Sequence, residues 1–274
     1  MKRFVIGGAR FIFVGVGIIA LTSFTIDATD LLRGSQSALG ILADRASRQS
    51  CPEGMVFVDD GAASFCIDQY EVSPDRSCPT SLPRSAAATT ENLNSGSCEP
   101  VSEPDVQPWT NVAKHQAEAL CRKAGKRLPT LREWYVASQA TPDTGGACNI
   151  AGTKTETGTW SACVSGVEAF DMVGNVWEWV DAEVVEGSVA QRELPEEGYV
   201  TSVSGNGLAD TTSASPSELF GDDYFWSPDD SGRYVVMRGG FYGSREDAGV
   251  FTTHAHIDPS FAGEAIGFRC AISQ

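Results

Sequence analysis

The stretch DMVGNVWEWV, residues 171–180, sets a turn, a strand and a charge side by side. Gly174–Asn175 is a turn signal. Beyond it, alternation sends Trp177 and Trp179 to one face and Val176, Glu178 and Val180 to the other. The simple reading leaves Glu178 facing water. A carboxylate between two large aromatic rings is, however, expected to be partly covered, and a covered charge needs a partner. Asp171 and Glu178, with backbone carbonyls of the turn between them, offer the hard oxygen donors that calcium prefers.

Upstream lies the clearest helix. In TNVAKHQAEALCRKAG (110–125), Val112, Ala113, Ala117, Leu120, Cys121 and Ala124 recur at helical spacing. Thr110 or Asn111 can cap its start and Gly125 can end it. A second helix is expected to start at TLRE (130–133), a capping box in which Thr130 and Glu133 satisfy each other's backbone donors. Arg122, Lys123, Lys126 and Arg127 surround the first helix's C-terminal end, where cations complement the macrodipole, so they read as structural. Farther back, GMVFV and FCIDQYEVS have strand character. Residues 73–108 shift to Pro, Ser, Thr and Asn and read as a loop pinned by Cys78 and Cys98. Downstream, residues 182–232 read as a long acidic loop rich in Ser and Gly. After them come YVVM (234–237), GGFYGSREDAG (239–249) and THAHID (253–258).

The chain has 274 residues, enough for one large domain or two small ones. Its formal net charge of −16 argues against nucleic acid as a partner. Lys2, Arg3 and Arg10 flank and interrupt an apolar run that ends before Asp27. Residues 1–26 therefore read as a secretory signal peptide, or as an uncleaved anchor that meets the membrane through residues 4–26. Residues 27–50 read as a linker, and the domain spans 51–274. Eight cysteines follow the export segment, an even number without C-x-x-C knuckles, which points to disulfides. Pairing by proximity joins Cys51 to Cys66, Cys78 to Cys98 and Cys148 to Cys163, which leaves Cys121 for Cys270.

CRKAGKRLPTLREW, DMVGNVWEWV, RGG and IGFRC, in this order and with the opening GMVFV and FCIDQYEV, resemble the sulfatase-modifying-factor or formylglycine-generating-enzyme family. The resemblance covers roughly 51–274. It implies an irregular α+β fold with a C-type-lectin-like core, little regular secondary structure and disulfide staples. It matches the family's disulfide to Cys121 and Cys270. It also matches a calcium site to the Asp171 and Glu178 side chains and the Gly174 and Val176 carbonyls. A second calcium position at Asn149 and Ile150 finds no acidic ligand in the sequence.

Formylglycine-generating members use two cysteines shortly after the paired glycines, as soft ligands for Cu(I). In this chain the two positions are Ser244 and Gly249, so formylglycine generation is not expected. His254 and His256, at i and i+2, with Asp258, form a set that iron or copper takes; a hydrogen-bonded or solvated histidine pair is the plain alternative. The expected function is an extracytoplasmic, calcium-stabilised binding module. Its groove would be lined by Phe241, Tyr242, Ser244 and Arg245, and its ligand a protein, peptide or small molecule. The alternative is an iron- or copper-dependent oxidase working through His254 and His256. Arg238, Arg245 and Arg269 read as partners for the domain's carboxylates.

Overall fold

Trp177–Val185 is the strand around which the largest sheet is arranged. It pairs antiparallel with Arg233–Arg238, setting Met237 opposite Trp179 and Arg238 opposite Glu178. On the other side it pairs parallel with Ile266–Phe268, setting Gly267 opposite Glu178. The motifs read separately along the sequence, WEW, MRGG and IGFRC, are thus three adjacent strands. Arg233–Arg238 in turn pairs with Thr253–Ile257, which runs parallel to Tyr224–Trp226. Gly198–Val203 and Ala209–Ser213 extend the sheet outward, and among the described residues it has nine strands.

The computed structural model describes residues 50–229 and 231–274. The expected export segment 1–26 and, Ser50 excepted, the linker lie outside the described residues. Cys51–Gln274 form one compact unit. Among the described residues no helix is long and apolar enough to cross a membrane. The architecture is α+β, with three α-helices among the described residues, a three-stranded sheet of Met55–Asp59, Ser64–Asp68 and Ala271–Ser273, and a small Ser73–Pro74/Pro100–Val101 pair.

Leu131–Ser138 is helical behind the capping box: Glu133 N–H donates to Thr130 Oγ1 at 3.2 Å and Thr130 N–H to Glu133 Oε2 at 2.8 Å. The preceding helix spans Lys114–Lys123, and its N-cap is Ala113 rather than Thr110 or Asn111. The Gln116 side chain takes over the capping task by accepting from Ala113 N–H. Asn111 adopts the left-handed conformation, which places it outside the helix. This helix buries Ala117, Leu120 and Cys121 in one cluster with Trp109, Trp179 and Phe268. Trp134 and Ala137 of the next helix join a second cluster with Met172 and Val180.

Two segments read as loops are not. Within 73–108, Ser85 caps a helix at Ala86–Asn94, a polar segment held by Asn92, whose side chain bridges Thr80 N–H and C=O. Within 182–232, the end of Trp177–Val185 is followed by the strands Ser188–Val189, Arg192–Glu193, Gly198–Val203, Ala209–Ser213 and Tyr224–Trp226. The segment around Gly205–Gly207 turns Gly198–Val203 back onto Ala209–Ser213, and Thr201, Ser202 and Thr211 hydroxyls pair across the hairpin. Threonine and valine fit the pleated surface, and a hairpin at the sheet margin can be polar on its wet side.

Four disulfides, Cys51–Cys66, Cys78–Cys98, Cys121–Cys270 and Cys148–Cys163, use all eight cysteines. Cys121–Cys270 spans 149 residues and fastens a helix to the residue before the closing strand. In the chain-entropy account a loop of that order restricts the unfolded chain by roughly 4–5 kcal/mol.

Candidate functional site

Glu178 is not the solvent-facing residue of the simple reading: it is 1% exposed. Arg269, itself fully buried, donates from Nε to both Glu178 oxygens at 2.9 and 2.7 Å and from Nη2 to Oε1 at 2.7 Å. Trp134 Nε1 donates to Oε2 at 2.7 Å. Strand pairing produces this geometry, because Ile266–Phe268 lies beside Trp177–Val185 and delivers Arg269 one residue later. Arg269 also donates to the carbonyls of Asp68 and Phe170, at 2.8 and 2.7 Å.

Glu71 is a further buried carboxylate at this turn, and no local pattern around it marks it as one. Its side chain accepts from Asn175 Nδ2 at 2.6 Å and Val176 N–H at 3.2 Å, and so clamps the turn from 104 residues away. Asp171 accepts from Gly158 N–H at 2.7 Å. Burial, with repulsion from Asp171 and Glu178, holds the Glu71 carboxyl well above the usual range. Burial also raises Asp171, to about 6. Three buried carboxylates thus share one buried guanidinium.

The cavity opens on the other side of the same strand and has a volume of about 730 Å³. Trp177, Trp226, Phe241 and Tyr242 wall it, and Ser244 and Asp247 stand at its lip. The Trp177 and Trp226 ring centroids are 5.7 Å apart and nearly perpendicular. His254 lines the cavity between them, stacked on Trp226 at 5.3 Å. Burial and the nearby His256 push the His254 pKa down to about 4, so its imidazole is neutral at pH 7. Arg245 does not line the groove as expected. It sits exposed in a short 3-10 turn, and its N–H donates to the Ile150 carbonyl at 2.7 Å. Nor does Arg238 pair with a carboxylate. It lies over the Trp134 ring at 4.9 Å and donates to the carbonyls of Thr252, Gly207 and Val250.

Ser244 Oγ accepts from Phe241 N–H at 3.1 Å, and Ser244 N–H donates to Phe241 C=O, which closes a tight turn. Gly249 is buried, and a Cβ built on it would overlap the Asp223 carboxylate. Asp223 is fully buried; Oδ2 accepts from Phe251 N–H at 2.6 Å and Oδ1 has no hydrogen-bond partner.

A family model described as the sulfatase-modifying factor enzyme 1-like domain matches residues 60–274. The chain belongs to that family. No curated protein matches the sequence. Among solved structures, a Major Tropism Determinant P3c variant is similar with TM-score 0.46 and 17% identity, over 81% of this chain and 53% of that one. This chain therefore spans about half the length of that protein. CarF is similar with TM-score 0.40 and 19% identity, over 81% of this chain and 94% of that one. PvdO from Pseudomonas aeruginosa follows with TM-score 0.39 and 16% identity, over 80% and 90%.

Within this sulfatase-modifying-factor domain, the sites expected from the sequence fare differently. The histidine set does not converge. His254 and His256 lie on one strand, with His256 N–H facing His254 Nδ1 at 3.4 Å and the His256 ring packed against Tyr234 at 4.4 Å. Asp258 is exposed, and Ser260 occupies one of its oxygens with two hydrogen bonds. Among the described residues, the one group of these side chains close enough for a metal is Asp75, Cys78 and Cys98, whose sulfurs are joined to each other.

The calcium set needs one change. Arg269 and Trp134 hold both Glu178 oxygens, so Glu178 is an ion-pair partner rather than a metal ligand. The surroundings otherwise suit a hard divalent cation, because the Glu71 and Asp171 oxygens are buried where one guanidinium is shared among three carboxylates. Asp171 and the Gly174 and Val176 carbonyls would hold the ion, and Glu71 would supply further charge.

Proposed function

We propose that this domain is an extracytoplasmic, calcium-stabilised binding module in which the family's cysteine chemistry has been lost and its cavity retained. The observation that carries this reading is the Asp223 carboxylate. It fills the space that a side chain at position 249 would need, while the aromatic cavity lined by Ser244 and Asp247 stays open. Position 249 is closed to any thiolate, and the Ser244 hydroxyl is engaged in a turn. A hydroxyl is also no substitute for a thiolate toward Cu(I). Four disulfides fit an oxidising compartment outside the cytoplasm. Retention at a membrane through residues 4–26 is part of the proposal.

The test uses the full chain, produced under oxidising conditions and analysed for metals by plasma mass spectrometry. About one equivalent of calcium is expected, with negligible iron or copper even after incubation with either metal. A cysteine-containing peptide, offered with Cu(I) and oxygen, should remain unconverted. Stoichiometric iron or copper, or peptide turnover, overturns the reading.

Calcium has its own check in thermal unfolding. Chelation should lower the melting temperature at pH 7.5 and added calcium should restore it. Binding of native protein alone at a hundredfold excess over Kd stabilises by about 2.7 kcal/mol. Asp171→Asn is expected to abolish the calcium increment. An increment of equal size in that variant would remove Asp171 from the site.

A further inference from the structure

The cavity is lopsided in charge. Two of its lining residues, Asp247 and Glu264, are acidic, and its lining holds no lysine or arginine. Lys154 and Arg84 lie in the neighbouring cleft, which shares Glu264, so Asp247 is the acid that belongs to this cavity alone. His254 adds no positive charge, since its imidazole is neutral at pH 7. An anionic ligand would meet acids here and a net charge of −16 on the chain.

The walls are mostly rings and aliphatic side chains. Ser244 Oγ already serves Phe241 N–H, and Met237, Ile257 and Ile266 supply aliphatic surface among the rings. A primary ammonium is strongly hydrated and would trade much of that water for ring and aliphatic surface here. A quaternary ammonium has no N–H to satisfy, presents methyl groups to the walls and is attracted by ring faces. Trp177 and Trp226 meet at 82°, and Phe241 and Tyr242 at 74°, so aromatic rings of differing orientation border one space.

We propose that this cavity binds a quaternary alkylammonium group, drawn by the rings of Trp177, Trp226, Phe241 and Tyr242 and charge-compensated by Asp247. The proposal rests on the binding-module reading and names the ligand class for that site.

Choline is the probe, and its uncharged carbon isostere, with a tert-butyl group in place of trimethylammonium, is the control. Both are titrated into the full chain by calorimetry at low ionic strength. Choline should bind at least about tenfold more tightly than the isostere, since a cation over desolvated rings gains about 1–2 kcal/mol and 1.4 kcal/mol is a factor of ten. Trp226→Leu and Asp247→Asn should each weaken choline several-fold and leave the isostere nearly unchanged. Asp247 is only partly buried, so its variant should keep the wild-type melting temperature. Equal binding of the two probes would overturn the cation proposal and leave an apolar binding module standing. Absence of choline binding would overturn it as well. Iron or copper in the metal analysis would instead remove the reading beneath it, whatever choline does.

Discussion

Arg269→Met is expected to destabilise the domain by about 3–5 kcal/mol in urea unfolding, because it strips the partner from a buried carboxylate. Glu178 would keep only the Trp134 indole N–H, and Glu71 and Asp171 stand close enough to raise the cost of its charge. The loss extends beyond one ion pair. Arg269 also holds the carbonyls of Asp68 and Phe170, so its removal loosens the strand Ser64–Asp68 and the approach to the Asp171 turn. Glu178→Gln in the same background should recover part of the stability. The buried charge is then gone, while glutamine keeps an oxygen for Trp134. A single-variant loss below about 1 kcal/mol, or no recovery in the double variant, would show that Glu178 is charge-balanced from elsewhere.

The sequence made such local features legible and left long-range ones hidden. The Thr130–Glu133 capping box could be read because donors and acceptors lie three residues apart. The Ala86–Asn94 helix could not, since Ala-Ala-Ala-Thr-Thr-Glu-Asn-Leu-Asn has almost no apolar stripe and its fixing contact, Asn92 to Thr80, lies outside it. The hairpin at 198–213 reads as loop in sequence because strands of threonine and serine at a sheet margin do not show the apolar alternation of a core strand. At the site, the DMVGNVWEW motif pointed correctly to a buried carboxylate with a partner. It did not name that partner, which enters on a parallel strand 91 residues later. Glu71 and Asp223 gave no local signal. Each is one acid among many in an acidic chain, and burial arises only when distant segments close over it.

Gly249→Cys is the decisive substitution at the cysteine position, and it should cost about 3 kcal/mol or more without creating a copper site. The new Cβ would meet the Asp223 carboxylate, and overpacking a closed site costs about 1–3 kcal/mol even against apolar neighbours. Here the displaced group is also buried and polar. Asp223→Ala alone should cost about 1–3 kcal/mol by orphaning Phe251 N–H, yet in the Gly249→Cys background it should be stabilising, because it removes the overlap. Asp223 also gives a pH signature. Burial, aided by repulsion from Asp143, pushes its pKa up from 3.8 to about 8, although Phe251 N–H, Thr252 and Arg238 favour the ionised form. A carboxyl raised in the folded state contributes stability that is fully present below its unfolded pKa and is lost as pH rises through the folded one. This group should therefore weaken the domain between about pH 4 and pH 8, by at most about 1.4 kcal/mol per pH unit. Asp223→Asn, neutral at every pH, should flatten that slope and gain on the wild type as pH rises. If the two proteins keep parallel stability profiles from pH 5 to pH 8, Asp223 is ionised throughout, and its charge is balanced by Arg238 across the gap between them.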